Sequence, residues 1–160
     1  MSSDRIIEIH TLSNLLQSFK TVGKKIIATS GGFAPAHSGH LACLEESSLI
    51  ELNSILVVIV NSDEFLMRKK GKIFMNHQER MEMVAAIRYV DYVTGWEHGS
   101  QTVCGALAIL KPDIFTKGAD RSERSAVPEA DICDKINCKI MYGVGGSNKM
   151  QSSSALISGI

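Results

Sequence analysis

The chain has 160 residues, of which 44% are hydrophobic and 21% charged, which is typical of one globular domain and excludes a disordered or low-complexity chain. Its 17 Lys and Arg residues balance 17 Asp and Glu residues, so it lacks the basic excess of proteins that bind nucleic acid or acidic membranes. The four cysteines form no C-x-x-C pair, and no apolar run approaches the roughly 20 residues of a membrane span, so we expect a cytoplasmic protein with reduced cysteines.

Strand-like and helix-like patterns alternate along the chain. Apolar residues at helical spacing predict helices, and runs rich in β-branched residues predict strands. The predicted elements are, in order, a helix at 12–19, a strand at 25–29, a helix at 41–49, a strand at 54–60, a helix beginning at Asn76, a strand at 92–94, a helix at 103–110, a strand at 112–116, a helix at 130–136, a strand at 139–142 and a short helix from 152.

This alternation predicts a parallel sheet with right-handed crossovers. The continuous hydrophobicity of 54–60 is typical of a central strand covered on both faces. We therefore expect an α/β fold: a single Rossmann-like, doubly wound domain with a five-stranded parallel sheet, and with residues 1–23 as an N-terminal helical extension. Such sheets bind ligands beyond the carboxyl ends of their strands, which directs attention to the loops at 30–40, 61–75, 117–125 and 143–152.

The most unusual segment is 31–40, a Gly-rich turn between a strand and a helix. Its glycines let the backbone approach a ligand closely, and the N–H groups of the helix start favour a phosphate. His37 and His40 are three residues apart, so both imidazoles can lie on one face of the first turn and stabilise a phosphoryl group that gains charge. The alternatives are two unrelated polar residues, or a zinc site, for which no third ligand stands at a matching spacing.

A basic run at 68–72 follows the second strand, on what the pattern predicts to be a loop. It is either a solvated turn, as most charge runs are, or a source of ligands for a triphosphate, with Lys70 as the first candidate. Arg80, in the first turn of the next helix, is either a surface residue or a phosphate ligand.

Two later segments have a similar pair of interpretations. The segment 117–120 is either an ordinary strand-to-helix turn or a turn that contacts a nucleotide, in which Asp120 accepts hydrogen bonds from ribose hydroxyls. The three serines at 152–154 either cap the last helix or, together with its N–H groups, bind phosphate.

The segment 31–40 resembles the G-x-F-x-x-x-H-x-G-H signature of the cytidylyltransferase-like nucleotidyltransferases, and the resemblance covers nearly the whole chain. Segments that resemble heptose-1-phosphate adenylyltransferase lie at 24–33, 61–63, 70–71, 79–80, 117–120 and 152–154. Segments at 63–65 and 87–91 are more similar to glycerol-3-phosphate cytidylyltransferase. The signature is specific for the superfamily, whereas the segments that separate the two families are short.

The resemblance implies roles for individual residues, with 24–160 as the catalytic core. It implies that His37, His40 and Lys70 are catalytic. The implied nucleotide-binding residues are Gly32, Phe33, Gly39, Arg80, Lys117, Gly118, Asp120, Ser152, Ser153 and Ser154, and the implied substrate-binding residues are Asn61, Asp63, Lys72 and Arg121. Two positions depart from the pattern: Ala34 stands where many members carry Asp, and Lys149 is the nearest cation where several members carry Arg before the Ser/Thr helix start.

The reaction implied by the resemblance is attack of a phosphorylated sugar or polyol on the α-phosphorus of ATP or CTP, with release of pyrophosphate. ATP and a heptose-1-phosphate-like acceptor are slightly favoured. Mg²⁺ is expected to arrive with the nucleoside triphosphate, no metal site is expected from the protein alone, and a homodimer is implied. The alternatives are a CTP-dependent cytidylyltransferase of a glycerol-3-phosphate-like acceptor and a nucleotide-binding module without turnover.

Overall fold

The computed structural model describes residues 2–97, 102–118 and 127–146 of the chain. These ranges contain five β-strands and six α-helices, preceded by a 3₁₀ turn at Ser2–Arg5. The strands are β1 (Lys25–Gly31), β2 (Ser54–Asn61), β3 (Tyr92–Trp96), β4 (Ile114–Gly118) and β5 (Lys139–Val144). The helices are α1 (Ile9–Thr21), α2 (Ser38–Ser48), α3 (Asp63–Lys70), α4 (His77–Ala85), α5 (Cys104–Leu110) and α6 (Ala130–Lys135).

The described strands form one parallel sheet in the order β3-β2-β1-β4-β5. The chain progresses outward from β1 to β3 and then crosses back to place β4 on the other side of β1. The predicted five-stranded doubly wound sheet is therefore confirmed. Because the direction of winding reverses between β1 and β4, the connections after these strands diverge and leave a crevice at their carboxyl ends, where such folds bind ligands.

Helices cover both faces of the sheet. Leu12 and Leu16 of α1 pack on one face together with α5, and Leu44 of α2 and Val84 of α4 pack on the other. Strand β2 is buried from Ile55 to Asn61, as its continuous hydrophobicity predicts. Helix α1, within the predicted N-terminal extension, thus contributes to the domain core. None of the helices in the described ranges has the length and hydrophobicity needed to cross a bilayer.

Helix α3 is the main departure from the prediction, because a loop was expected over 61–75. The hydroxyl of Ser62 caps this helix by accepting the N–H of Phe65 at 3.1 Å, and acidic residues occupy the first turn. Three basic residues occupy the last turn, and Gly71 ends the helix in the left-handed region at φ 76°. Much of the basic run 68–72 therefore lies on a helix, where cations complement the C-terminal end of the dipole.

The strands extend further towards their carboxyl ends than predicted. Glycine in a sequence suggests the end of a strand. Here, however, Gly31, Gly95 and Gly118 each pair with a neighbouring strand and so lie within the sheet. As a consequence, Lys117 and Gly118 are the last residues of β4 and do not lie on the predicted loop at 117–125. The predicted final helix from 152 lies outside the described residues.

Candidate active site

The turn from β1 into α2 is organised by its two histidines. His37 is the N-cap of α2, and its Nδ1 accepts the N–H of Gly39 at 3.1 Å. In return, Nδ1 of His40 accepts the N–H of His37 at 3.2 Å, so the pair forms a reciprocal capping box made of imidazoles. The rings stack with their centroids 3.9 Å apart and 26° between their planes.

This capping box fixes the tautomer of both histidines. A ring nitrogen that accepts a hydrogen bond carries no proton, so the proton of each neutral imidazole resides on Nε2. Each ring is half-buried. Local hydrogen bonding at the helix start thereby holds two Nε2–H donors side by side, next to the positive end of the α2 dipole.

Phe33 and Gly32 determine how this turn packs against its neighbours. The Phe33 ring is 3% exposed and contacts the His40 ring at a centroid distance of 4.7 Å. A Cβ at Gly32 would lie 2.8 Å from Cδ2 of Leu66, so the missing side chain lets α3 pack directly against the turn. Ala34, at the position where many family members carry Asp, is buried.

Arg80 joins the turn after β1 to the turn after β2. Its side chain is fully buried, and its guanidinium donates to the carbonyls of Gly32 at 2.9 Å and Asn61 at 2.6 Å, and to Asp63 Oδ1 at 2.8 Å. Its Nε donates to the carbonyl of Met75 at 3.0 Å. Four acceptors from three separate segments thus converge on one cation, which is how a buried charge is usually stabilised.

The structure therefore brings together four of the predicted site residues, namely Gly32, Asn61, Asp63 and Arg80. Arg80 is not the surface residue that one interpretation of the sequence allowed. Its hydrogen bonds to protein acceptors give it a structural part in the site, since it fixes backbone positions on which Gly32 and Asn61 lie. The Asp63 carboxylate, predicted to bind substrate, is paired with Arg80.

The basic residues of α3 differ from one another in their surroundings. Arg68 pairs with Glu64 on the same helix at 2.7 Å, and Lys69 lies 5.8 Å from the ring centroid of Phe65. Lys70 is half-buried at the last position of the helix, and Lys72 is exposed beyond Gly71. Helix α3 itself packs on the histidine turn through Leu66.

The end of β4 forms the opposite wall of the crevice. Lys117 Nζ lies 5.3 Å from the ring centroid of Phe115, and Gly118 pairs with Val144 of β5. Gly39 is the second residue of α2 and donates to His37. The remaining candidate residues lie outside the described ranges, namely Asp120, Arg121, Ser152, Ser153 and Ser154, as does Lys149.

A family model for cytidylyltransferase-like proteins matches residues 28–140, well over half of the chain. The chain belongs to the cytidylyltransferase-like family. The matched range contains the histidine turn, Arg80 and the end of β4, so it covers the crevice described above. Membership identifies the chain as a nucleotidyltransferase and confirms the family predicted from the H-x-G-H signature.

Curated relatives with the same domain are longer proteins. The bifunctional protein HldE of Campylobacter jejuni subsp. jejuni serotype O:6 is 36% identical over 131 residues, which cover 81% of this chain and 27% of that protein. The bifunctional protein HldE of Desulfatibacillum aliphaticivorans is 33% identical over 114 residues, 70% of this chain and 22% of that protein. The chain therefore spans about a quarter of the length of these relatives.

A solved structure of similar fold is the lipopolysaccharide core biosynthesis protein from Thermoplasma volcanium. It superimposes with a TM-score of 0.61 at 27% sequence identity, covering 76% of this chain and 97% of that one. The match includes most of the cytidylyltransferase-like domain and supports the assignment of a Rossmann-like fold.

Sequence reasoning missed two groups beside this family site. The first is His77, the first residue of α4; its Nε2 lies 2.9 Å from the Val60 carbonyl and its Nδ1 2.9 Å from Glu97. His77 thus joins the end of β2 to the residue that follows β3. Nothing in the sequence signals this contact, because Glu97 is far from His77 in the chain.

The second missed group is a set of small polar residues under α2. Ser47 and Thr116 share a hydroxyl hydrogen bond at 2.8 Å, and Thr29 donates to the Thr116 carbonyl at 3.0 Å, all three being buried. Cys43 lies beside them, and burial raises the pKa of its thiol above the ordinary value. The thiol is therefore protonated near neutral pH, as is typical of a cysteine with a packing role.

Proposed function

We propose that this chain transfers a nucleoside monophosphate from ATP or CTP to a phosphorylated sugar or polyol and releases pyrophosphate. ATP and a heptose-1-phosphate-like acceptor are favoured over CTP and a glycerol-3-phosphate-like acceptor. The observation that carries the proposal is the imidazole capping box, in which His37 and His40 present their Nε2–H groups side by side at the start of α2.

In the proposed step, an oxygen of the acceptor phosphate forms a bond to the α-phosphorus. The bond from this phosphorus to the oxygen that bridges to the β-phosphate breaks, and pyrophosphate takes the electron pair. An acceptor phosphate is already largely ionised near neutral pH, so the step requires no general base. Catalysis then depends on alignment of the two substrates and on donors placed where charge develops.

The histidine turn is suited to that task. Charge grows on the oxygens around the α-phosphorus in the transition state, and Nε2–H donors already held by the fold need no reorganisation to stabilise it. Lys70 and Lys117, on opposite sides of the crevice, are candidates to bind the β- and γ-phosphates. Their role is a prediction from the family resemblance and from their positions at the ends of α3 and β4.

The choice of substrates rests on the relatives. The similar proteins include several HldE proteins and a lipopolysaccharide core biosynthesis protein, and sequence segments resembling heptose-1-phosphate adenylyltransferase outnumber those resembling the glycerol-3-phosphate enzyme. These similarities favour a sugar phosphate and ATP. We extend the proposal to a cytoplasmic homodimer, as the family resemblance implies.

Mg²⁺ is proposed to enter with the triphosphate. The described side chains near the crevice include imidazoles, lysines, an Asp63 carboxylate paired with Arg80 and a Glu46 carboxylate bonded to Gly145. The described residues contain no group of three or more His, Cys, Asp or Glu that could hold a metal ion. This donor set fits an ion held chiefly by phosphate oxygens, as Mg²⁺ often is. When bound, the ion would neutralise charge on the leaving pyrophosphate.

The experiment that tests the proposal pairs ATP and CTP with heptose-1-phosphate, other sugar phosphates and glycerol-3-phosphate, in the presence of Mg²⁺. Pyrophosphate release is measured, and the product is identified by mass. We expect the highest kcat/KM for ATP with a sugar 1-phosphate, and loss of turnover with excess EDTA. If the chain binds nucleotide but none of the substrate pairs releases pyrophosphate, the proposal is contradicted and the binding module is supported instead.

A further inference from the structure

Helix α2 contacts the chain just beyond β5 as well as carrying the two histidines. Oε2 of Glu46, near the end of α2, accepts the N–H of Gly145 at 2.5 Å. Gly145 is the first residue after β5 and has φ +100°, a conformation that L side chains rarely adopt. A Cβ at this position would lie 2.8 Å from the backbone nitrogen of Cys43 and 2.9 Å from its Cα. The chain thus lies against the backbone of α2 more closely than any side chain allows.

The neighbouring residue of α2 makes a second contact with the same wall of the crevice. Ser47 shares its hydrogen bond with Thr116 of β4, and Thr116 pairs with Thr29, where the β1–β4 ladder ends. Beyond that pair, β1 continues beside β2 alone, so no strand pairing fixes the ends of β4 and β5 relative to the histidine turn. Because Gly118 pairs with Val144, the end of β4 and Gly145 are parts of one unit.

We propose that Glu46 is a positioning residue that holds the carboxyl ends of β4 and β5 at a fixed distance from His37 and His40. Elsewhere in the sheet, strand pairing fixes the distance between neighbouring strands. On the crevice side, the hydrogen bond from Gly145 to Glu46 fixes the distance between the end of β5 and α2. This inference rests on the proposed function, because the Glu46 contact would place Lys117 and Gly118 where they meet a nucleotide bound at the histidine turn. Glu46 acts through Gly145 and does not itself touch substrate.

The test compares Glu46→Ala and Glu46→Gln with Glu45→Ala. Glu45 is also exposed on α2 and its replacement removes the same charge, but its carboxylate accepts a hydrogen bond from Tyr89 and not from Gly145. We expect Glu46→Ala to raise KM for the nucleoside triphosphate about 3- to 10-fold, the value of one modest hydrogen bond, with a smaller change in kcat. Glu46→Gln retains an accepting oxygen and is expected to recover most of the affinity.

A second readout does not depend on turnover. Amide hydrogen exchange at Gly145, followed by NMR, is expected to accelerate about 3- to 10-fold in Glu46→Ala and to stay near the parent rate in Glu45→Ala. Gly145→Ala adds a Cβ that meets the Cys43 backbone, and it is expected to raise KM more than Glu46→Ala does.

The outcomes separate the two proposals. Faster Gly145 exchange with an unchanged KM, or no difference between Glu46→Ala and Glu45→Ala in either measurement, overturns the positioning role. If the parent protein shows no turnover with any substrate pair, the proposed function fails, and Gly145 exchange together with the affinity for ATP still decides whether Glu46 positions the nucleotide wall.

Discussion

Two helices of this domain begin with a reciprocal capping box, but they use it differently. At the start of α2 the capping side chains are His37 and His40, so the groups that satisfy the helix are also the proposed catalytic donors. At the start of α4 the box is formed by Asn76 and Glu79, which are exposed.

Two other side chains of this helix start, those of His77 and Arg80, take no part in the capping box and are buried. Arg80 donates to the carbonyls of Gly32 and Asn61, and Nε2 of His77 lies 2.9 Å from the Val60 carbonyl. One helix start therefore carries the proposed catalytic donors, while Arg80 at the other supports the turn on which they lie. The hydrogen bond from Arg80 to the Gly32 carbonyl connects the two.

The largest expected effect comes from separating capping from catalysis at His37. An Asn at this position can accept the Gly39 N–H as Nδ1 does, since Asn is among the best N-cap residues, but it cannot supply Nε2–H. We expect His37→Asn to lose about 10²- to 10³-fold in kcat with a melting temperature near that of the parent. Nucleotide affinity, measured by titration, should change little.

His37→Ala is the matched variant, because it removes both functions. It should lose a similar factor in kcat and, in addition, about 1 kcal/mol of the free energy of unfolding. A His37→Asn protein with near-normal kcat would show that the histidine is needed only as a cap.

The next effect is on stability and concerns Arg80. Arg80→Met leaves the carbonyls of Gly32 and Asn61 and the Asp63 carboxylate without their donor. Because buried acceptors are costly to leave unpaired, we expect a loss on the order of 3 kcal/mol in the free energy of unfolding, measured with denaturant.

Arg68→Met is the control for Arg80, since it removes an arginine from a surface ion pair on α3 and should cost less than about 0.5 kcal/mol. If Arg80→Met kept the parent's stability while KM for the nucleotide rose, Arg80 would be a direct phosphate ligand, and the contrast between the two helix starts would be lost.

A smaller effect is expected from replacing Lys70. This residue is a predicted phosphate ligand and belongs to neither capping box. Lys70→Ala should raise KM for the nucleoside triphosphate about tenfold, the value of one charge-assisted hydrogen bond, with little change in melting temperature. Lys69→Ala, on the same helical turn, serves as the control and should match the parent. Equal kinetics in the two variants would remove Lys70 from the site.

The smallest effect is expected at the α4 box itself. Asn76→Ala should lower the free energy of unfolding by about 1 kcal/mol and leave kcat unchanged, because this cap takes no part in the chemistry. Thermal unfolding and steady-state kinetics on the same preparation test both halves of the statement. A clear fall in kcat would mean that the start of α4 influences the histidine turn more strongly than the Arg80 contacts alone imply.

The sequence predicted those features that depend on neighbours along the chain. Helical and strand periodicities led to the doubly wound sheet, and the resemblance of segment 31–40 to a known signature led to the family. The start of α4 was predicted for the same reason, since Asn76 and Glu79 cap each other within one turn.

Features that depend on distant neighbours were not predicted. Arginine is rarely buried, and the acceptors that permit it at position 80 are backbone carbonyls, which have no signature in the sequence. Glu46 and Gly145 are 99 residues apart in the chain, so no local sequence pattern predicts their hydrogen bond. Helix α3 was missed because it buries only Leu66, although Ser62 and Gly71 marked both of its ends.

The acceptors chosen by Arg80 have a further consequence. Three of its four partners are main-chain oxygens, those of Gly32, Asn61 and Met75, and every residue type provides such an oxygen. The clamp consequently restricts the path of the backbone but leaves the side chains at 61 and 75 open to exchange. Under the proposed function, a scaffold built in this way can change its substrate contacts at the end of β2 without rebuilding the support of the histidine turn.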